Sequence, residues 1–172
     1  MRAKVIWLNW VSPKVETRRS RIDDLGTFTK EVIRKGEPII AFGGHVVDLP
    51  TWRRLPEELM KRSLVISENL ELCPGSPEEV GEGDYINHSC SPNAGLYGQI
   101  LLIAMKAIGK GEEITFDYAM VMSDPSFRME CHCGAENCRK VITGDDWKMK
   151  RLQKAYNGYF SLYLQDKIDT LR

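Results

Sequence analysis

Four of the five cysteines form a pattern typical of a metal site, and this pattern constrains the fold more than any other feature of the chain. Cys131, Cys133 and Cys138 follow one another as Cys-x-Cys-x4-Cys, and Cys90 stands upstream in the segment Asn87-His88-Ser89-Cys90. Structural zinc takes four thiolate or imidazole ligands, and closely spaced cysteines can present their sulfurs to one ion. The sequence therefore predicts one structural Zn2+ held by Cys90, Cys131, Cys133 and Cys138.

Two properties of this predicted site bear on chemistry. Four thiolates would close the coordination sphere, so the ion would stabilise the fold and would not act as a Lewis acid. An odd number of cysteines suits metal ligation better than a disulfide framework, which indicates a reducing compartment. His132 lies between two ligands but is expected to point away from them as a surface residue, and His45 is expected to be a solvated turn residue.

Composition indicates one ordinary globular domain. The chain has 172 residues, 42% of them apolar and 28% charged, which suffices for a substantial core. The formal net charge of zero argues against binding nucleic acid mainly through bulk electrostatics. No segment approaches the ~20 apolar residues needed to cross a bilayer, and the N-terminal apolar run is too short for a signal peptide. The sequence therefore predicts a soluble, intracellular protein.

Hydrophobic and turn patterns predict many short strands and few helices. Strands are expected over residues 5–8, 39–42, 46–47, 64–66, 70–72, 101–105 and 113–116. A short helix capped by Thr51 and interrupted at Pro56 is expected over residues 49–63. In the tail, a helix capped by Thr143 or Asp145 carries Trp147, Leu152 and Tyr156 on one face, and a second helix begins at Tyr159. This tail is expected to pack on the strand-rich body.

Three ordered blocks carry a resemblance to a known family. They are N-H-S-C-x-P-N at residues 87–93, G-E-E-I-T-F-D-Y at residues 111–118, and C-x-C-x4-C at residues 131–138. Together they resemble SET-domain protein-lysine methyltransferases with a cysteine-rich post-SET segment, of the small single-domain microbial type. The resemblance implies a mainly β, β-clip-like fold of small curved sheets with a pseudoknot and short helices. It divides the chain into an N-terminal strand segment (1–19), a SET domain (20–120), a post-SET zinc segment (127–143) and a C-terminal helical tail (144–172).

The resemblance also implies an activity and a set of site residues. The activity is transfer of methyl groups from S-adenosylmethionine to the side-chain amine of a lysine. Tyr118 would be catalytic, with a hydroxyl that orients the amine. Phe116 is at the position that distinguishes product states in the family, where Phe leaves room for di- or trimethylation, and Phe42 would line the same lysine channel. The residues implied to contact the cofactor are Leu25, Gly26, Tyr85, Asn87 and His88. His132 is expected to join them because of its place in the cysteine knuckle, the segment of residues 131–138 together with Cys90, which puts it near anything that the knuckle covers.

This chain departs from the family pattern at three places. The usual G-x-G cofactor loop is here Asp24-Leu25-Gly26, without the first glycine. An E-Y-x-G segment of many members is replaced by Ala41-Phe42-Gly43-Gly44, which removes one hydroxyl from the implied lysine channel. His45 also stands where Glu is common.

The expected partner is a protein with an exposed lysine, such as a histone tail or another basic segment, with no direct binding of nucleic acid or membrane. The expected location is the cytoplasm of a microbe, or a host nucleus if the protein acts there. The sequence predicts no oligomeric state. Two other functions are considered: a catalytically inactive SET-fold peptide-binding module, and a cysteine hydrolase using Cys90 and His88. The hydrolase is disfavoured on the expectation that adjacent residues on a strand point to opposite faces, and because no orienting acid is evident in the sequence.

Overall fold

The computed structural model describes residues 8–171. The predicted strand at residues 5–8 lies outside this range except for Leu8. In chain order the strands are β1 (Trp10–Val11), β2 (Val15–Arg19), β3 (Leu25–Thr29), β4 (Pro38–Ala41), β5 (His45–Asp48), β6 (Leu64–Ser67), β7 (Leu70–Cys73), β8 (Asn87–His88), β9 (Ala94–Tyr97), β10 (Leu101–Ala104), β11 (Glu113–Phe116), β12 (Arg128–Glu130) and β13 (Val141–Thr143). The helices are α1 (Leu49–Trp52), α2 (Glu57–Met60), α3 (Lys150–Ala155) and α4 (Leu162–Thr170), with short 3-10 turns between elements.

The strands form four small sheets, ordered β1-β4-β10-β9, β2-β3-β11-β8, β5-β7-β6 and β12-β13. Within these sheets every pairing is antiparallel except that of β8 with β11, where Asn87 faces Thr115 and His88 faces Phe116. The backbone N–H of Ser89 then donates to the carbonyl of Phe116 at 3.1 Å, which continues the contact past the strand end. A mainly β fold of small sheets with short helices is confirmed.

One hydrophobic core joins the sheets to the C-terminal tail. Ile39, Leu102 and Ile114 from the sheets are fully buried, and they share this core with Phe160 and Leu164 of the tail. Since burying each such side chain contributes ~1.5–3 kcal/mol, the tail is an integral part of the fold. The expectation that the tail packs on the strand-rich body is confirmed.

The helix boundaries differ from the sequence prediction for identifiable reasons. Asp48, and not Thr51, caps α1, because its carboxylate accepts a hydrogen bond from the Thr51 N–H at 2.9 Å. The second tail helix begins at Leu162 and not at Tyr159, because Ser161 is the cap and accepts from the Leu164 N–H. Tyr159 and Phe160 precede the helix, and Phe160 inserts into the core. The first tail helix is also interrupted, with a 3-10 turn at Asp146–Lys148 before α3.

Candidate active site

An open cleft of about 690 Å³ lies where β3, β8 and α2 approach one another. Four of the residues implied by the family resemblance line it: Leu25, Tyr85, Asn87 and Tyr118. The other lining residues are mostly charged: Asp23, Asp24, Glu57, Glu58, Lys61, Arg62 and Asp84, with Pro56 and Ile86. The three chain segments that supply the predicted residues therefore meet at one concave surface, as ligand sites usually do.

Tyr118 is held at the cleft by contacts at both ends of the residue. Its hydroxyl donates to the carbonyl oxygen of Ile86 at 3.1 Å, and its backbone N–H donates to Nδ1 of His88 at 3.1 Å. Its ring centroid lies 5.1 Å from that of Phe116 and 5.2 Å from that of His88. Burial, with a further contribution from the carboxylate of Asp23, raises the pKa of Tyr118 to about 12. The phenol is therefore neutral at physiological pH, with its lone pairs free to accept a hydrogen bond.

Asn87 connects β8 to β3 and β11. Its side-chain amide donates to the carbonyl of Leu25 at 3.0 Å and to the carboxylate of Glu113 at 2.8 Å. Glu113 in turn accepts from the hydroxyl of Ser20 at 2.8 Å. A β-carbon added at Gly26 would lie 3.0 Å from Nδ2 of Asn87 and would overlap the Glu113 carboxylate. The absence of a side chain at Gly26 thus permits this network, which shapes one wall of the cleft.

His88 lies behind the cleft and not on its surface. Its side chain is 2% exposed. Because Nδ1 accepts the Tyr118 N–H, a neutral ring carries its proton on Nε2, which lies 3.4 Å from Sγ of Cys90. Burial lowers the pKa of His88 to about 4, although Asp117 nearby acts in the opposite direction. A neutral imidazole is therefore the stable form, and it links the Tyr118 backbone to a cysteine sulfur.

The expectation that His88 and Cys90 point apart with no acid nearby is wrong, because residues two apart on a strand share a face and Asp117 lies 3.6 Å from Nδ1. Membership of Cys90 in the four-cysteine cluster is what argues against a cysteine hydrolase.

The four predicted zinc ligands form one cluster. The sulfurs of Cys90, Cys131, Cys133 and Cys138 all lie within 4.8 Å of one another, and those of Cys90 and Cys131 are 4.0 Å apart. Zinc–sulfur bonds of about 2.3 Å in a tetrahedron place sulfurs about 3.8 Å apart, so the donor set fits such an ion. Cys73 lies elsewhere, buried in β7 near the carbonyl of His45.

The surroundings of the sulfurs also suit a metal. Backbone N–H groups of Cys90, Arg139 and Lys140 donate to the sulfurs of Cys133, Cys90 and Cys138 respectively, at 3.3–3.5 Å. Burial raises the pKa of Cys90 to about 11. Burial also acts to raise the pKa of Cys133, but N–H groups of Cys90 and Ala135 outweigh it and lower this pKa to about 7. Cys133 is thus the thiol that ionises most readily, and a bound cation would favour the thiolate form of the others as well.

The remaining predicted residues lie away from the lining of the cleft. His132 has a side chain 71% exposed, with Glu130 as its neighbour at 4.0 Å, and Phe42 packs against the main core. Phe116 is buried beside Tyr118. His45 begins β5 and pairs with Glu79 at 3.0 Å, so it is a strand residue and not the expected turn residue.

Sequence reasoning missed a buried polar cluster directly behind Tyr118. Asp117 is fully buried and accepts two hydrogen bonds from the guanidinium of Arg139, at 2.6 and 2.7 Å. Arg139 also donates to Asp146 at 2.9 Å, and the hydroxyl of Tyr156 donates to Asp117 at 3.0 Å. The one available signal was position, since Asp117 precedes Tyr118 and Arg139 follows the last predicted ligand, Cys138.

Fold and site together define a small β protein in which a tyrosine-bearing cleft adjoins a cluster of four cysteines that could hold a metal ion. Residues 24–119 match the model of the SET domain family, and the chain belongs to that family. It is 32% identical over 149 residues to "Histone-lysine N-methyltransferase 2D" of Homo sapiens, an alignment that covers 81% of this chain and 3% of that protein. It is also 32% identical over 139 residues to "Putative histone-lysine N-methyltransferase ASHH4" of Arabidopsis thaliana, covering 73% and 38% respectively.

Solved structures show the same likeness. The crystal structure of KRYPTONITE in complex with mCHG DNA and SAH matches with a TM-score of 0.59 and 25% identity, over 74% of this chain and 28% of that one. The methyltransferase domain of human SETMAR matches with a TM-score of 0.59 and 21% identity, over 77% and 58%. Because DNA is named in the KRYPTONITE complex, this likeness does not support the expectation that the protein binds no nucleic acid directly. Across residues 8–171 no helix has the length and apolar character needed to span a membrane.

Proposed function

We propose that this protein is an S-adenosylmethionine-dependent protein-lysine N-methyltransferase. The observation that carries the proposal is that Tyr118 lines the cleft, with a neutral hydroxyl that donates to the carbonyl of Ile86, another lining residue. Family membership and the related KRYPTONITE structure, which was solved in complex with SAH, support a methyl donor of this type. The named relatives span far more sequence than this chain, so activity and substrate are proposed here for this chain itself.

The geometry of Tyr118 suits a lysine nucleophile. Methyl transfer forms an N–C bond as the C–S bond breaks, and the electron pair of that bond leaves with the sulfur as a thioether. The amine must therefore be neutral, with its lone pair directed at the methyl carbon. Because the Tyr118 proton is engaged by Ile86, the phenol oxygen can accept an N–H of the incoming amine and leave the nitrogen lone pair free. Such alignment of two reactants accounts for several kcal/mol of a barrier.

The cofactor is assigned to the cleft. Leu25, Gly26, Tyr85, Asn87 and the backbone at His88 would contact it, with Asn87 fixing the wall through Leu25 and Glu113. Gly26 is proposed for this group through its backbone, since the position of its missing β-carbon faces Glu113 and Asn87 and Gly26 is not among the residues that line the cleft. His132 is proposed for this group only through its place in the knuckle, because its side chain is exposed. Zn2+ is assigned to Cys90, Cys131, Cys133 and Cys138, where it would hold the knuckle folded.

The substrate proposed is a lysine in a histone tail or another basic protein segment, in keeping with the names of the relatives. Phe42 and Phe116 are proposed to line the lysine channel. Phe116 brings no hydroxyl beside Tyr118, which leaves room for a methylated amine to rotate and react again. The product proposed is therefore di- or trimethyl-lysine.

The deciding experiment supplies radiolabelled methyl donor and a panel of histones to wild type, Tyr118→Phe and Tyr97→Phe. Tyr97 is an exposed tyrosine, 64% accessible, and its variant is the matched control. Wild type and Tyr97→Phe should label a histone, and Tyr118→Phe should lose at least about a hundredfold in kcat while it still binds the donor by calorimetry. Donor binding without transfer to any protein by wild type would favour the peptide-binding module instead.

A further inference from the structure

The carboxylate of Asp117 connects three parts of the chain. It is fully buried and immediately precedes Tyr118. One oxygen accepts from Nη2 of Arg139 at 2.7 Å and from the Ala119 N–H at 3.0 Å. The other accepts from Nη1 of Arg139 at 2.6 Å and from the Tyr156 hydroxyl at 3.0 Å. The segment bearing Tyr118, the cysteine knuckle and the C-terminal tail therefore meet at one side chain.

Arg139 extends this junction to the metal ligands. It follows Cys138 in sequence, and its backbone N–H donates to Sγ of Cys90 at 3.3 Å. Its guanidinium, 6% exposed, is held between Asp117 and Asp146. A planar guanidinium bound on two sides by carboxylates has one orientation, which a flexible ammonium would not have. Any rearrangement of the knuckle that moves Arg139 must therefore also move or release Asp117.

A buried ion pair is weak evidence for stability, because apolar residues of similar volume often stabilise a fold as well. Its better-attested use is to select one arrangement of the groups around it. Here those groups include the backbone of residues 117–119, through the Ala119 N–H, and hence the direction in which Tyr118 leaves β11. A small displacement of the Asp117–Arg139 pair would therefore change the position of the Tyr118 hydroxyl.

We propose that the Asp117–Arg139 pair is a positioning device that sets the Tyr118 phenol in the cleft only when the knuckle is folded around its metal ion. Loading of the cysteine cluster would then control methyl transfer without any contact between metal and substrate. This inference rests on the proposed function and adds Asp117, Arg139 and Tyr156 as positioning residues. None of them lines the cleft.

The first test compares zinc-loaded variants. Arg139→Lys keeps the positive charge but loses the two-pronged contact, and Tyr156→Phe removes only the hydroxyl bonded to Asp117. The control is Lys148→Gln, which breaks a half-exposed ion pair with Asp145 in the adjoining segment. We expect full zinc content, unchanged donor affinity and unchanged KM for histone in all three. The kcat should fall about tenfold in Arg139→Lys and about threefold in Tyr156→Phe, and remain at the wild-type value in the control.

The second test has a readout other than activity. Fluorotyrosine is incorporated at position 118, and its ¹⁹F resonance is recorded before and after zinc is removed by a chelator. We expect a shift on removal of zinc in the wild-type background and a smaller one with Arg139→Lys, whose zinc-loaded resonance should lie nearer the metal-free position, while the part of the shift transmitted through His88 remains. An identical shift in both backgrounds would overturn the inference.

Each remaining outcome is also decisive. Wild-type kcat in a fully zinc-loaded Arg139→Lys variant would overturn the positioning role. If Arg139→Lys loses zinc or fails to fold, Tyr156→Phe decides, and an unchanged kcat in that variant counts against the proposal. Failure of the proposed function is distinguishable, because it would appear as absence of methyl transfer by wild type itself, whereas the resonance test would still report the coupling.

Discussion

Nε2 of His88 lies 3.4 Å from Sγ of Cys90. Since Nδ1 of the same ring accepts the backbone N–H of Tyr118, one imidazole bridges the cleft and the cysteine cluster. A neutral ring with its proton on Nε2 is the form that satisfies both contacts, and the pKa of about 4 that burial gives His88 favours this form. The His88 contact and the Asp117–Arg139 pair both connect Tyr118 to the cysteine knuckle, and they adjoin each other, since Nδ1 of His88 lies 3.6 Å from the Asp117 carboxylate.

Gly26→Ala should weaken binding of the methyl donor while the protein remains folded. The added β-carbon would lie 3.0 Å from Nδ2 of Asn87 and would displace the Glu113 carboxylate from its two partners. We expect the donor Kd to rise about tenfold, measured by calorimetry, because Asn87 would leave its position in the cleft and lose about one hydrogen bond to the donor, worth ~1 kcal/mol. Gly109→Ala is the control, because the nearest atom to its new β-carbon is the end of the exposed Glu112 side chain. Equal affinities of the two variants for the methyl donor would contradict the role given to Gly26 in allowing the Asn87–Glu113 contact.

Removal of metal should destabilise the knuckle. Cys90→Ser and Cys138→Ser are each expected to lower the bound zinc to well below one ion per chain, because a structural site needs all four ligands. The thermal unfolding midpoint should fall by several degrees in both, and chelation of wild type should give the same fall. Cys73→Ala, which changes the one cysteine outside the cluster, should keep its zinc. Loss of zinc by this control would show that the cluster is not the binding site.

Glu71 should make stability depend on pH. Burial, with a smaller contribution from Asp124, raises the pKa of Glu71 from 4.5 to about 7. Between these values the folded protein binds more protons at Glu71 than the unfolded chain, so the stabilisation is complete below pH 4.5 and is lost as the pH rises through 7. Glu71→Gln should remove this dependence. The variant and wild type are compared by their difference in the free energy of unfolding. Between pH 4 and pH 8 this difference should move in favour of Glu71→Gln by about 2–3 kcal/mol, since each pKa unit corresponds to about 1.4 kcal/mol.

The measurement for Glu71 is urea denaturation at a series of pH values. Glu31→Gln, at an exposed glutamate, serves as the matched control and should follow the wild-type curve. Parallel curves for wild type and Glu71→Gln across the whole range would show that Glu71 ionises normally in the folded protein.

Phe116→Tyr should change the product and not the donor affinity. A hydroxyl added to the ring that lies 5.1 Å from Tyr118 would restrict the space and could hold a water molecule beside the amine. We expect mass spectrometry to show mainly monomethyl-lysine with this variant, and di- or trimethyl-lysine with wild type at long times. Monomethyl product alone from excess wild type would refute the proposed product state. Tyr97→Phe again serves as the control for handling and folding.

The parts of the site that could be predicted are those in which local spacing determines chemistry. The Cys-x-Cys-x4-Cys pattern and Cys90 were predicted as one metal site, and their sulfurs do converge. The family resemblance likewise predicted four site residues that line one cleft: Leu25, Tyr85, Asn87 and Tyr118. Their roles in binding and catalysis stay predictions, as do the domain boundaries and the cellular location.

What could not be predicted depends on tertiary burial. An aspartate before Tyr118 and an arginine after Cys138 look like ordinary surface residues, and only the folded chain brings them into contact with Tyr156. The same holds for local structure in the tail. Tyr159 and Phe160 have the pattern of a helix start, but the core accepts Phe160 as an inserted side chain and Ser161 supplies the better cap. Neither effect has a signature within a short window of sequence.

The parallel contact between β8 and β11 has a consequence for how the cleft and the cysteine cluster form. Asn87 and Thr115 can meet only after a long intervening segment, including β9 and β10, has found its place, and closing such loops is entropically costly and slow. Donor affinity and zinc uptake should therefore both emerge late during refolding, in the same kinetic phase as the final tertiary fluorescence change. A newly synthesised chain would bind neither donor nor zinc until that last step.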